Sequence, residues 1–387
     1  MLLYGCSDDS YKGVQDDLIS SDEQVPVMIA VGDPSGGVVK GDGPVDNVKD
    51  LMEDDIYVYA FNRSASTSFS TLRSQSSLDC LVDASTDASR SVSGRRARLK
   101  TSDVYMTWVD ESRTIYWPAG QETITAFDFY AYYLGGLQVP ESAYSRQDDK
   151  VAIDITIDGS ADLMTSRARP TESQMASLSK KDQLAAQVYS YSHYMALRNI
   201  VPTFMFSHNL VRLDFEIVPG VTHGIRKRVY IQDISIESQT RGTFVVAAKD
   251  ESEIGATFSG DAKKLYLPDK DGTTIPKDKY SIDTRSDASE TIVPLSVGSC
   301  LFVAPSSSYL FRTTLKEMDQ SSTDSVLNEQ ECDPIEISAG EEGFLPGNSY
   351  KVKITVSGWM NVSVVVSLDR WESGGSTTID REEVPEG

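Results

Sequence analysis

The sequence predicts an all-β protein: two tandem antiparallel β-sandwich domains with a short helical segment near their junction. Short runs rich in Val, Ile, Tyr and Phe recur along the chain, separated by polar turns. The long helical crossovers that parallel strands require are missing between most of them. At 387 residues the chain is also too long for one ordinary core, so each half is expected to bury its own. The expected organisation is a tether at 1–24, an N-terminal sandwich at 25–202, a C-terminal sandwich at 203–372 and an acidic tail at 373–387.

After a polar, acidic stretch, the fold begins with VPVMIAV (25–31), a short β-rich run closed by the turn-forming GDPSGG. In DDIYVYAFN, Ile56, Val58 and Ala60 share one face and Tyr57, Tyr59 and Phe61 the other, which predicts a central strand covered on both sides. Polar and charged residues dominate 64–102, predicting an exposed loop with one short strand near 78–82. DVYMTWVDESRTIYWP predicts a hairpin around a turn at 110–113. AFDFYAYY and KVAIDITID alternate, predicting strands with one face in a core. Between 171 and 199, Ala, Leu, Gln, Lys and Met replace turn residues and predict a helix, with the domain junction just after it.

In TFMFSHNLVRLDFEIVPG the apolar parity changes. Phe204, Phe206 and Leu210 fall on one face and Val211, Leu213, Phe215 and Ile217 on the other, so a bulge or bend is required at 209–211. Separate strands are expected at RVYIQDISI, GTFVVAA, KLYLP, IVPLSV, CLFVAP and YLFRTTL. YKVKITVSG and NVSVVVSLDRW predict a closing hairpin.

Thirty-six Lys and Arg against 58 Asp and Glu leave a formal charge of −22, which repels phosphates and excludes nucleic acid as a partner. Cys6, Cys80, Cys300 and Cys332 lie too far apart to gather around zinc or a redox centre. Cys300 and Cys332 are either one disulfide or two isolated thiols. None of His193, His208 and His223 stands in a metal-ligand spacing, and His208 reads as a hydrogen-bonded strand residue that helps fix the bend. PDKDGTT places Asp269, Asp271 and Gly272 like the opening of a calcium loop. Thr273 and Tyr280 then stand where further carboxylates are needed, so an Asp-Gly turn is expected.

No glycine-rich phosphate loop and no GxSxG elbow occurs. The reading is a non-enzymatic protein with neither cofactor nor metal. Arg90, Arg95, Arg96 and Arg98 form the one basic concentration, a candidate for proteolytic processing or for contact with an acidic neighbour. Trp359, at the expected hairpin tip, is the candidate for ligand contact. The opening LLYGC has features of a lipoprotein box, with Leu3, a small Gly5 and Cys6 as the thiol that would take the lipid. Pattern alone leaves both lipidation and a plain exposed thiol open.

Several strings together resemble the fimbrillin-like proteins of the Bacteroidetes, the Mfa-like and FimA-type pilus subunits. TIYWPAGQETITAFDFYAYYLGG resembles the family's Trp-Pro turn and the aromatic strand after it, and ADLMTS its Asp-Leu-Met segment. FMFSHNLVRLDFEI resembles its Phe-x-His-x-Leu strand, and LPGNSYKVKITV with SLDRW its closing hairpin. The resemblance implies two transthyretin-like sandwiches, export as a lipoprotein held in the outer membrane through Cys6, and a structural or adhesive role in cell-surface fimbriae. It further implies assembly in which a protease removes the first strand and a donor strand from the next subunit fills the groove. The removable strand would carry Val25, Val27, Ile29 and Val31.

Two departures bear on this. Lys40 stands where polymerising members usually have an arginine after the first strand, and the tail ESGGSTTIDREEVPEG is acidic and contains Gly and Pro. A tip, accessory or anchor subunit is therefore expected. The implied partners are other pilin subunits, a processing protease and a host protein or glycan receptor. The alternative is a surface lipoprotein that binds glycans or host ligands and never polymerises.

Overall fold

The computed structural model describes residues 23–32, 54–73, 78–85, 92–99, 104–119, 123–222, 226–318, 326–358 and 361–369. Cys6, Lys40, Arg90, His223 and Trp359 lie outside the described residues. The first half contains β1 (Ile29–Val31), β2 (Ile56–Asn62), β3 (Cys80–Val82), β4 (Arg95–Leu99), β5 (Tyr105–Trp108), β6 (Phe127–Tyr133), β7 (Tyr144–Arg146), β8 (Lys150–Thr156), β9 (Met164–Arg167), β10 (Thr203–Phe204) and β11 (Ser207–His208). Helices α1 (Glu172–Ala176), α2 (Lys180–Tyr189) and α3 (His193–Ala196) separate β9 from β10. The second half contains β12 (Val211–Pro219), β13 (Arg228–Ala248), β14 (Gly255–Tyr266), β15 (Tyr280–Asp283), β16 (Leu295–Val303), β17 (Ser308–Met318), β18 (Val326–Glu331), β19 (Ile335–Ser338), β20 (Ser349–Val356) and β21 (Val362–Asp369).

Among the described residues the strands form three sheets. A nine-stranded sheet runs β10-β1-β5-β4-β2-β6-β9-β11, with β3 on β2. An eight-stranded sheet runs β18-β17-β13-β8-β7, with β14 and β15 on β13 and β19 on β17. A four-stranded sheet runs β16-β12-β20-β21. The pairing is mostly antiparallel as expected, but β1 with β10 and β12 with β20 are parallel.

The alternation in β2 is used on both faces. Ile56, Val58 and Ala60 enter one core with Phe127, Phe129, Phe204 and the helices, while Tyr57, Tyr59 and Phe61 enter a second with Tyr130, Tyr132 and Phe244. Strand β6 is also covered on both sides, whereas its alternation suggested one buried face, because its Tyr side chains are roofed by the eight-stranded sheet. The tyrosines tolerate this because their hydroxyls find acceptors: Tyr59 donates to Val92 O (2.8 Å) and Tyr130 to Ala248 O (3.0 Å).

Strand β13 joins the cores. Its first half puts Val229, Ile231, Ile234 and Ile236 against the four-stranded sheet, and its second half puts Phe244, Val246 and Ala247 against the nine-stranded one. RVYIQDISI and GTFVVAA are thus one continuous strand, where two were expected. The polar stretch between them stays extended because β14 pairs along it, with a register shift between Gln239 and Arg241. IVPLSV and CLFVAP likewise merge, as β16 begins at Leu295 and runs through Cys300.

The helical segment is broken into three short pieces. Thr171 forms a capping box with Gln174 at α1, Ser179 caps α2 and Ser192 caps α3, which accounts for the breaks. The parity change at 209–211 is a switch between sheets: β11 ends the nine-stranded sheet and β12 enters the four-stranded one. His208 Nδ1 lies 2.5 Å from Asp162 Oδ2, and Asn209 donates to Leu163 O through its backbone N–H (2.8 Å). The closing hairpin is present, with β20 and β21 paired from Ser349 opposite Asp369 to Val356 opposite Val362. No disulfide joins Cys300 and Cys332, so the isolated-thiol alternative holds for this pair.

Two buried carboxylates hold loops in place. Asp83 pairs with Arg146 at 2.9 Å with both side chains buried, while Arg146 also donates to Phe69 O and Thr71 O. Asp269 is engaged by Lys279 and by the Tyr280 hydroxyl (2.6 Å), and Asp271 accepts from Thr273 N (3.0 Å), the geometry of a self-closed turn.

Removing one partner from the buried pair leaves an uncompensated charge, so Asp83→Ala should cost about 3–5 kcal/mol in denaturant unfolding. The Asp269 carboxyl is pulled down to about 2 by the Lys279 ammonium and then the Tyr280 hydroxyl. Its contribution is therefore present above the ordinary carboxylate value of about 4 and lost as pH falls toward 2. The Asp269→Asn variant should show a flatter decline in melting temperature over that window than the parent chain.

Candidate functional site: the first strand and its groove

The segment around β1 fills a slot in the nine-stranded sheet, between β5 and β10. Its side chains alternate between faces: Val27, Ile29 and Val31 enter the core, while on the other face Met28 stays 48% exposed and only the small Ala30 is buried. On the core side Ile29 lies opposite Met106, and Val31 lies opposite Phe204. Met106, Ile115, Trp117 and Phe204 belong to the same core, so they are the apolar surroundings of the slot.

Backbone bonds hold the segment on both sides. Val27 N donates to Ile115 O (2.8 Å), Trp117 N to Val25 O (3.0 Å) and Val31 N to Val104 O (2.8 Å). From the other edge, Ala30 N donates to Pro202 O and Gly32 N to Phe204 O, both at 2.9 Å. Two side chains clamp the entrance: Trp108 Nε1 donates to Val27 O (3.2 Å), and His193 Nε2 lies 2.7 Å from Glu23 O.

The hairpin expected at 104–117 is therefore absent. Its two halves both pair with the first strand, β5 through Ile29 and Ala30, and residues 115–117 through an isolated bridge between Pro26 and Tyr116. The alternation of buried Ile115 and Trp117 around exposed Tyr116 was the sequence signal of a strand. Nothing local identified its partner.

Three of the arginines, Arg95, Arg96 and Arg98, do not lie in an exposed loop. Arg95–Leu99 is β4, an interior strand of the sheet between β2 and β5. Arg95 is 4% exposed, donates to the carbonyls of Asp110 (2.8 Å) and Arg113 (2.5 Å), and lies 5.2 Å from the centre of the Trp108 ring. Burial pushes its guanidinium below the ordinary value. Arg96 and Arg98 both reach Asp55, at 3.4 and 2.6 Å. A protease needs extended backbone it can grip, and the folded β4 has both of its edges hydrogen-bonded.

Among the described residues no cluster of His, Cys, Asp and Glu could hold a metal, and no helix is long and apolar enough to cross a membrane. The most distinctive feature of the build is a first strand packed as core. The chain belongs to the fimbrillin-like family, whose profile matches residues 52–371. Membership places it among pilus and adhesion subunits of the cell surface that associate with other pilin subunits.

Among solved structures it is similar to a candidate cell adhesion protein from Bacteroides uniformis ATCC 8492, at 16% identity over 90% of this chain and 99% of that one, with a TM-score of 0.44. It is also similar to one from Bacteroides ovatus ATCC 8483, at 12% identity over 91% and 100%, with a TM-score of 0.41. A third is the fimbrial anchor protein Mfa2 from Porphyromonas gingivalis, at 10% identity over 90% and 98%, with a TM-score of 0.34. No curated protein matches the sequence.

Burying one aliphatic side chain contributes about 1.5–3 kcal/mol, so the three inward residues of the first strand together rival the net stability of a whole domain. The Ile29→Ala variant should lose about 2–5 kcal/mol in denaturant unfolding. Met28→Ala, on the exposed face of the same strand, should stay within about 0.5 kcal/mol of the parent. Equal effects at the two positions would contradict the assignment.

Proposed function

We propose that this chain is a subunit of surface fimbriae in which the segment at 25–31 is a placeholder. A protease cuts the link that follows it, and an extended donor strand from another subunit then displaces the segment and takes its place. The observation that carries this reading is the insertion of Val27, Ile29 and Val31 into a core otherwise built from residues 56–206. A donor strand with the same alternation would meet the same apolar floor, and it would find free backbone groups at Val104, Ile115 and Trp117 on one side and at Pro202 and Phe204 on the other.

Cleavage belongs in the link at 33–53, where Lys40 is the candidate, or at Arg90. Arg95, Arg96 and Arg98 would first have to leave β4. An arginine-specific protease passes over Lys40, so a cut there calls for a protease of another specificity. A tail that is acidic and carries Gly and Pro makes a poor donor strand, and a subunit that accepts a strand without donating one stands at the end of a filament. Together with a lipid on Cys6 this favours an anchor, accessory or tip role over a stalk.

The test is a lock. Ala30 and Tyr105 are directly opposed, and the bond from Val31 N to Val104 O makes theirs a non-hydrogen-bonded pair, with Cα atoms about 4.5 Å apart, close enough for a disulfide. The double variant Ala30→Cys/Tyr105→Cys should fold and melt at least as high as the parent yet fail to accept a donor strand. Reduction should restore acceptance. Filament formation that is indifferent to the lock would rule out strand replacement at this slot.

A further inference from the structure

The geometry points to a second pairing surface: the free edge of β21, through which two copies of this chain join edge to edge in an antiparallel two-fold dimer centred on Val365. This surface lies on the other half of the molecule from the first-strand slot and does not depend on strand replacement.

Strand β21 ends the four-stranded sheet and pairs with β20 along all of its length, and among the described residues no strand pairs with its other edge. Exposed edges are commonly protected by shortness, charge or bulges. Elsewhere among the described residues these devices are present: β7 and β10 are very short, β18 carries Glu329 and Glu331, and β14 carries Asp261, Lys263 and Lys264. β21 has none of them before its last residue. Val362, Val364 and Val366 are only partly buried against the core, and Val365 and Leu368 are 63% and 68% exposed.

The occupant follows from the order of residues. From 361 to 369 the chain reads Asn-Val-Ser-Val-Val-Val-Ser-Leu-Asp, nearly the same in both directions about Val365. A two-fold axis perpendicular to the sheet at Val365 sets Val364 against Val366 of the second copy, Ser363 against Ser367, Val362 against Leu368 and Asn361 against Asp369. Every core-side residue then meets a core-side residue and every outward one an outward one, as a continuous sheet requires. No like charges face each other, and Asp369 is already paired with Lys351 at 3.1 Å.

The backbone agrees with this register. Ser357 N donates to Asn361 O (2.9 Å), which makes the odd-numbered residues of β21 the ones bonded to β20. The N–H and C=O groups of Val362, Val364, Val366 and Leu368 therefore face the open edge. Centring on Val365 pairs these with one another and puts the axis on a non-hydrogen-bonded position. The net charge of −22 opposes association at long range, so added salt should strengthen it.

Sedimentation velocity of the intact chain should show a monomer–dimer equilibrium that shifts toward dimer with protein concentration and with salt. Val365→Lys places two ammonium groups face to face on the axis and should abolish the dimer while leaving the melting temperature unchanged, since the side chain is largely solvent-exposed. Under mild oxidation Val365→Cys should form a disulfide to the same position of the second copy, located by peptide mapping, because opposed Cα atoms lie about 4.5 Å apart there. Val366→Cys, opposed by Val364, should not. A parent chain that remains monomeric up to about 100 µM at high salt overturns the proposal. So does a dimer that survives Val365→Lys, or a cross-link at 366 in place of 365.

Discussion

The N-terminal core depends on one pairing between residues remote in the chain. The segment at 25–31 is joined to β2 only through residues 33–53, yet it supplies Val27, Ile29 and Val31 to the interior and closes the gap between β5 and β10. Without it, Met106, Ile115 and Phe204 would face water, and the carbonyls of Val104, Ile115 and Pro202 would lose their donors. Both losses are repaired by any strand of the same alternation. That interchangeability is the physical content of the proposed assembly route.

The rest of the architecture makes such a vacancy survivable. Strands β2 and β6, at the centre of the sheet, are covered on their second face by the eight-stranded sheet, where Phe244 of β13 meets the Tyr132 ring edge-on (6.4 Å between centres) and Ala248 O accepts from the Tyr130 hydroxyl (3.0 Å). β13 then carries the packing onward into the second half, so the sheet that would lose its first strand is braced from the side the strand does not touch.

Much of this was legible in the sequence because it rests on local periodicity. The two-faced pattern of β2, the parity change between Leu210 and Val211, and the closing hairpin each follow from which residues must be buried. What was not legible rests on partners distant in sequence. β4 reads as a solvated basic loop until Asp55 and the carbonyls at 110 and 113 are seen to collect its arginines. The segments at 104–117 read as a hairpin because their alternation is real, while their common partner lies about 80 residues earlier. β13 reads as two strands because its polar middle is kept extended only by β14. The alternation of the first strand was visible, but the slot around it was not.

The most direct test of the central claim is thermal unfolding of the full chain with a specific protease site placed within 33–53, before and after cutting. The account predicts that the cut protein keeps its first segment and melts near the parent temperature. Displacing that segment should lower the melting temperature sharply, and a synthetic VPVMIAV peptide should restore it, while the same peptide with Asp at the position of Ile29 should not. A cut protein that sheds the segment without loss of stability, or that no peptide rescues, would contradict it.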